Sequence, residues 1–344
     1  MKEQIDSKRL NRFGPIKGLV LLGGGILLRS ICLWAKSERL PVKVITSPRH
    51  NDEIVDGESL ENFLRSRNVD HISTDDISNG IVKSFLFDTE EYTFLSLGAA
   101  WIFKSPDTEL LFGERLLNLH GTRLPQNRGG GGFSWQILMG NKFGYCVLHR
   151  VDDGIDSGEI VALEEFLYPA NFRKPIDFER HYIEKNFNFV VNFIKKYRVG
   201  NALPVPIRQS EYFSSYWPRL NTEINGWINW ALDPHDIERF ICAFDDPYSG
   251  AQTLLNGVKV RIKNVCLSPQ DGLFHPYQSG IIYRKSQSWI CVALRGSTLV
   301  IENLHDESGE DLLSSVNVGD RFITPINLLE SSLVRPNYTS KGLK

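Results

Sequence analysis

Asn118, His120 and Asp156 are three residue types that suffice for an acyl transfer, and glycine-rich sequence runs between them. From Asn118 the chain reads N-L-H-G-T-R-L-P-Q-N-R-G-G-G-G-F-S-W, and from His149 it reads H-R-V-D-D-G-I-D-S-G. An amine attacking an acyl carbon needs a donor at the oxygen that turns negative, a base for the departing proton and a group that orients the base. The Asn118 amide supplies hydrogen bonds only, which suits it to the oxyanion. His120 can polarise the same oxygen or relay a proton, and Asp156 can orient the imidazole or take the proton itself.

These groups need a scaffold. Side chains two apart in an extended segment share a face, so Asn118 and His120 project into one pocket. Leu116 and Leu117 before them suit a buried strand end, which is where sites lie in open α/β sheets. Pro125 stops regular pairing, and Gly129 to Gly132 let the backbone approach a ligand closely. Asp156 falls on a second turn, between Gly154 and Gly158, after the strand-like Cys146-Val147-Leu148.

Residues 17–28 read as a buried strand followed by a helix through Trp34, and Val42–Thr46 as a second strand rich in β-branched residues. Residues 58–67 read as a helix, 94–97 as a strand and 178–197 as a helix that ends in Lys195 and Lys196 before Gly200. Such alternation predicts an α/β fold, a Rossmann-like, mostly parallel sheet covered on both faces. Glycines 23–25 do not form a dinucleotide fingerprint, because Leu28 stands where the third glycine is needed. Pro204 and Pro206 mark a stiff linker, which divides the chain into a catalytic domain at 1–203 and a smaller domain at 204–344. Short β-type segments at 258–265, 280–283, 289–293 and 298–301 predict that the second domain is a small β-barrel-like (OB-like) unit. Residues 1–14 and 335–344 read as loose termini.

At 344 residues, two domains are the default expectation. The 39 basic and 41 acidic residues are nearly balanced, which argues against a chain built to hold a nucleic-acid backbone. Five cysteines without C-x-x-C spacing fit a reduced, cytoplasmic setting better than a disulfide framework or a zinc site. The apolar run at 18–28 is too short to span a bilayer and lacks an A-x-A cleavage site, so no membrane partner is expected.

Asn118-Leu119-His120, Leu124-Pro125, Arg128-Gly129 and Asp156-Ser157-Gly158 together resemble the motifs of the folate-dependent formyltransferases. That group holds the methionyl-tRNA, glycinamide ribonucleotide and nucleotide-sugar N-formyltransferases. The stretch at 228–250, with Phe244-Asp245-Asp246-Pro247, is similar to the start of their C-terminal domain, and the resemblance extends over residues 17–325. It implies that Asn118, His120 and Asp156 are catalytic and that the formyl donor is 10-formyltetrahydrofolate, with no metal. It further implies that the donor's pterin lies against the loop Gly98, Ala99, Ala100, Trp101 and Phe103, with Asp153 added from the second turn. Trp101 and Phe103 can equally be core residues at the sheet edge.

Within this family the chain looks closest to the enzymes that formylate a nucleotide-linked amino sugar. Arg123 and Arg128 are candidates for phosphate, since a guanidinium fork matches that group, although Arg128 can equally brace the glycine turn. Gly129, Gly130 and Phe133 complete the candidate acceptor contacts. The methionyl-tRNA enzymes carry a basic insertion after the second strand, whereas residues 46–57 here are short and more acidic than basic. The expectation is therefore a cytoplasmic homodimer making surface polysaccharide such as the O-antigen of lipopolysaccharide. Its rivals are a methionyl-tRNA formyltransferase, a deformylase and a non-catalytic folate or nucleotide sensor.

Overall fold

The computed structural model describes residues 15–104, 107–201, 205–268 and 270–344. The expected loose segment 1–14 and the expected boundary at 203/204 lie outside the described residues. Seven strands form the larger sheet: β1 (Gly18–Gly23), β2 (Val42–Thr46), β3 (Asp70–Ser73), β4 (Tyr92–Leu97), β5 (Leu116–His120), β6 (Phe143–Arg150) and β7 (Ile160–Leu167). Their order is β7-β6-β5-β4-β1-β2-β3. Every pair from β3 to β5 is parallel, while β6 and β7 run antiparallel.

The buried run of β1 explains its central place. Leu19 and Leu21 enter one core with the helices α1 (Gly25–Ser37), α2 (Leu60–Ser66) and α4 (Pro175–Tyr197). Val20 and Leu22 enter the opposite core with Ile45, Phe94 and Phe112. A strand covered on both faces must be apolar at every position, and this one is. Strand order reverses between β1 and β4, so the carboxyl ends of these strands open a crevice at Gly23 and Leu97. The helix α3 (Gly132–Leu138) starts directly after the glycine run.

The second sheet is antiparallel. Its strands are β8 (Ala251–Leu255), β9 (Val258–Ser268), β10 (Ile282–Lys285), β11 (Ile290–Leu294), β12 (Ser297–His305) and β13 (Phe322–Ile323). They are ordered β10-β11-β12-β9-β8-β13, and a bridge between Ile281 and Arg321 joins the two ends of the curled sheet. The helix α5 (Pro234–Ala243) covers it. One buried cluster joins Ile137, Tyr168 and Phe178 of the larger domain to Ile237, Phe244 and Ile262 of the smaller one. Beside it, the fully buried Asp245 holds the Lys174 ammonium at 3.2 Å and accepts the backbone N–H of Asn264 at 2.7 Å.

Two local expectations change. The helix expected at 58–67 spans Leu60–Ser66, because Glu58–Ser59 pairs with Ile54–Val55 in a small hairpin. Residues 335–344 are not loose: Tyr338–Thr339 pairs with Gly342–Leu343, and Lys341 reaches Asp75 at 3.1 Å. Among the described residues no helix is long and apolar enough to cross a membrane.

Candidate active site

The carboxyl end of β5 places Asn118 and His120 on one face, as their spacing requires, and the turn after β6 brings Asp156 to them. The Asn118 amide donates to Asp156 Oδ1 at 3.2 Å and to His149 Nε2 at 3.0 Å. Both of its hydrogens are therefore engaged. His149 is buried and donates from Nδ1 to the Arg150 carbonyl at 2.7 Å, which leaves its Nε2 as the acceptor for Asn118. His120 is also buried. Its Nε2 lies 2.9 Å from the Asn127 carbonyl and 2.7 Å from the Thr122 hydroxyl, and its Nδ1 lies 3.6 Å from Asp156 Oδ2. A carbonyl can only accept, so this network assigns the proton to Nε2 and a lone pair to Nδ1.

Electrostatics sets the charge of the ring. Burial lowers the His120 pKa, and the Asp156 carboxylate and Asn127 carbonyl only partly oppose it, so the ring is neutral near pH 7. Burial alone would raise the Asp156 pKa. The positive charge that His120 and His149 take up at low pH, with the Gly129 N–H, outweighs it and holds the carboxyl far below its ordinary range. The site thus pairs an ionised carboxylate with a neutral base.

Glycines set the turn. Gly129 donates its N–H to Asp156 Oδ2 at 2.9 Å, has φ +106°, and a Cβ on it would stand 2.3 Å from the Trp217 carbonyl. Asp156 itself has φ +52°, a left-handed conformation that Asp tolerates, and Gln209 holds the turn by donating to the Asp156 and Gly158 carbonyls at 2.8 and 2.6 Å. Gly129→Ala is expected to push Trp217 away, release Asp156 and cut turnover at least about tenfold, roughly the effect of losing one charge-assisted hydrogen bond. A kinetic assay of the variant beside its far-UV circular dichroism checks this; unchanged turnover would count against the turn's role.

The cluster stands where two lobes of one cleft meet. The larger lobe, about 750 Å³, runs from His120 past Gly131, Tyr182 and Asn221 to Tyr248. The smaller, about 360 Å³, runs from His120 past Asn118 and Asp156 to Trp101 and Phe103. Of the residues expected at the site, Gly98, Ala99, Gly129 and Gly130 line both lobes, Ala100, Trp101 and Phe103 line the smaller and Phe133 the larger. Trp101 is also tied to the sheet edge through its indole N–H to Thr74 O at 3.2 Å, so both readings of it hold together.

Three expected contacts do not reach the cleft. Arg123 is exposed and lines neither lobe; its charge reaches Tyr145, while Leu124 beside it is buried with Tyr145, Val147 and Ile160. Arg128 is buried and binds Gln209 at 3.1 Å and Glu211 at 2.8 Å, bracing the segment after the linker instead of meeting a ligand. Asp153 is outside the lining, where its neighbour Asp152 stands and accepts the Ser157 hydroxyl at 2.6 Å. Conversely, Arg49, Arg219 and Tyr338, to which no role was given above, line both lobes, and His149, also without a role there, contacts Asn118. Arg49 and His50 sit one turn after β2, in the loop read only for its charge balance; the other two lie far along the chain with no local motif.

Residues 221–316 match the formyl transferase C-terminal domain. Methionyl-tRNA formyltransferase of Clostridium perfringens (strain 13) is 27% identical over 198 residues, 57% of this chain and 61% of that protein. The chain therefore spans about three fifths of the length of that relative. Among solved structures, WlaRD, a sugar 3N-formyltransferase in the presence of dTDP and 5-N-formyl-THF, superposes with TM-score 0.63 at 22% identity, over 84% of this chain and 98% of that one. The N-formyltransferase from Helicobacter canadensis, in complex with folinic acid and dTDP-3-aminofucose, superposes with TM-score 0.64 at 20% identity, over 83% of this chain and 99% of that one. These likenesses carry the two-domain fold, and the domain match lies within the smaller domain. Residues 221–316 thus carry a formyl transferase C-terminal domain, and the chain as a whole is similar to formyltransferases in sequence and fold.

Proposed function

We propose that this chain is an N-formyltransferase that moves the formyl group of 10-formyltetrahydrofolate to the free amine of a deoxysugar carried on a nucleoside diphosphate. The observation that carries the reading is the neutral His120 beside ionised Asp156, at the one place where both lobes of the cleft open. The smaller lobe suits a pterin: Gly98 has φ +65° with open space where a Cβ would stand, and the Trp101 and Phe103 rings form an apolar wall. The folate would supply an activated formyl group on N10; as the new C–N bond forms, the old one would break, and the proton taken from the amine would pass to the departing N10.

The chain's own residues do the rest. His120 takes the amine proton on Nδ1, with Nε2–H kept on the Asn127 carbonyl, and the Asp156 carboxylate stabilises the imidazolium that results. Asn118 donates to the carbonyl oxygen as it turns negative, which requires it to release one of its two present acceptors. His149, on the other side of Asn118, orients that amide.

A sugar amine is favoured over tRNA because residues 46–57 form only the turn Pro48–Asn51 and a two-by-two-residue hairpin, with no basic arm. The two superposed proteins were crystallised with dTDP ligands and formyl-folates, which supports the same reading. The product, a neutral formamide, suits surface polysaccharide such as O-antigen. The names of the sequence relatives favour the rival, methionyl-tRNA formyltransferase.

A turnover screen with 10-formyltetrahydrofolate and amino sugars on dTDP, UDP and GDP, run beside methionyl-tRNA, tests the reading. Formylation of at least one nucleotide sugar is expected. Formylation of tRNA alone, formate release without any amine, or ligand binding without turnover would each replace it.

A further inference from the structure

We propose that Arg49 and Arg219 form a clamp for the diphosphate of the acceptor, closed by Tyr338 from the C-terminal hairpin; this rests on the nucleotide-sugar reading above. Three distant segments meet here. Arg49 comes from the turn after β2, Arg219 from the stretch that leads into the small domain, and Tyr338 from the hairpin at 338–343. All three line both lobes of the cleft next to His120.

The two guanidiniums are uncompensated. Among the described residues neither has a carboxylate within ion-pair distance, and Glu53, whose field reaches Arg49, lies beyond it. Glu223, the carboxylate nearest in sequence to Arg219, is already bound to Arg261 at 2.8 Å and Lys259 at 3.3 Å. Arg49 instead donates from Nη2 to His50 Nε2 at 3.2 Å, a neutral acceptor that offers its charge no counterion. Partly buried like charges gathered without an anion are costly, and a cleft that keeps them has an anion as its natural complement.

Tyr338 fixes the arrangement. The Arg219 guanidinium lies 4.4 Å from the centre of its ring, and its hydroxyl receives the Asn221 amide at 3.3 Å. The ring holds Arg219 by stacking and leaves the N–H edges of the guanidinium for a ligand.

The shape of the pair selects among anions. A single carboxylate, such as the glutamate end of a folate, is satisfied by one guanidinium fork. A diphosphate offers oxygens on two phosphorus atoms and can engage two forks from different segments at once. Burial, Arg49 and Arg219 also push the His50 pKa down to about 4, which marks the positive potential beside the two guanidiniums.

Calorimetric titration of the full chain with dTDP, dTMP and folinic acid, with UDP and GDP as further probes, tests the clamp. Arg49→Met and Arg219→Met are each expected to weaken nucleoside diphosphate binding by about tenfold or more, the scale of a hydrogen bond to a charged group. The preference of the parent chain for dTDP over dTMP should collapse in both, while folinic acid binds within about twofold of the parent. Arg219→Lys, which keeps the charge and loses the fork, should fall between. Unchanged diphosphate affinity in the Met variants overturns the clamp, and so does loss of folinic acid binding instead. A parent chain that formylates an amine but binds no nucleoside diphosphate sinks the clamp and spares formyl transfer. Diphosphate binding through both arginines with no formylation of any amine spares the clamp and sinks formyl transfer.

Discussion

Asp156→Asn lowers formyl transfer by about 10²–10³-fold, the usual scale for loss of one transition-state donor or its partner, and leaves the fold intact. Asparagine keeps one oxygen for the Gly129 N–H, so the turn survives. What disappears is the negative charge that stabilises His120 once it has taken the amine proton. His120→Asn removes the base itself and is expected to lose at least as much. Single-turnover formylation with thermal unfolding alongside checks both, and near-normal turnover in either sinks the assignment. The pH profile adds a signature. The working form of His120 is neutral and its pKa is lowered by burial, so kcat/KM rises with pH and levels off below the ordinary histidine value of 6.5. In Asp156→Asn the carboxylate that pulls this pKa upward is gone, and the residual profile moves to lower pH. The same shifts carry a stability sign. Both pKa values are depressed on folding, so the contribution of His120 is complete above pH 6.5 and that of Asp156 above pH 3.8. Each is lost as pH falls through its folded value.

Asp245→Ala is expected to cost about 3–5 kcal/mol of stability, the range for removing one partner of a buried ion pair. The side chain has no exposed surface and accepts from the backbone N–H groups of Asp246 at 2.6 Å and Asn264 at 2.7 Å, besides pairing with Lys174. Alanine leaves two backbone donors without their acceptor and the Lys174 ammonium with only Asp246 Oδ2 at 3.4 Å, at the point where α4 of the larger domain meets β9 of the smaller. Asp245→Asn keeps an acceptor oxygen and should lose less. Urea midpoints at constant slope measure both; a loss under about 1 kcal/mol for the alanine variant would show that the ion pair is dispensable.

The larger sheet was legible because its signal is local. Apolar runs at β1, β2 and β4, with helices of clear period between them, leave few other folds open, and Asn118, His120 and Asp156 sit where their strand and turn put them. Strand β8 escaped because its centre is Gln252 and Thr253, which read as solvent-facing. Both are buried, with Thr253 accepting the Trp230 indole N–H at 2.9 Å. The ligand contacts were least legible. Residue type nominated Arg123 and Arg128, but direction is decided by partners far away in sequence: Leu124 beside one is buried with Tyr145, Val147 and Ile160, and Gln209 and Glu211 capture the other. Arg49 and Arg219 are ordinary loop arginines until the fold puts them side by side, and nothing near Tyr338 announces the ring beneath Arg219.

The buried cluster that spans Ile137, Tyr168 and Phe178 on one side and Ile237, Phe244 and Ile262 on the other limits how this protein can be recombined. Its two sheets look like exchangeable modules, yet the seam between them is closed by side chains from both. A chimera that takes a relative's small domain would inherit half of an interior packed to other shapes, and would meet voids or clashes there. A workable crossover would have to carry α3 and the stretch from Tyr168 to Phe178 along with the foreign domain. Substrate range can therefore be expected to diversify by residue changes around the cleft sooner than by shuffling of whole domains.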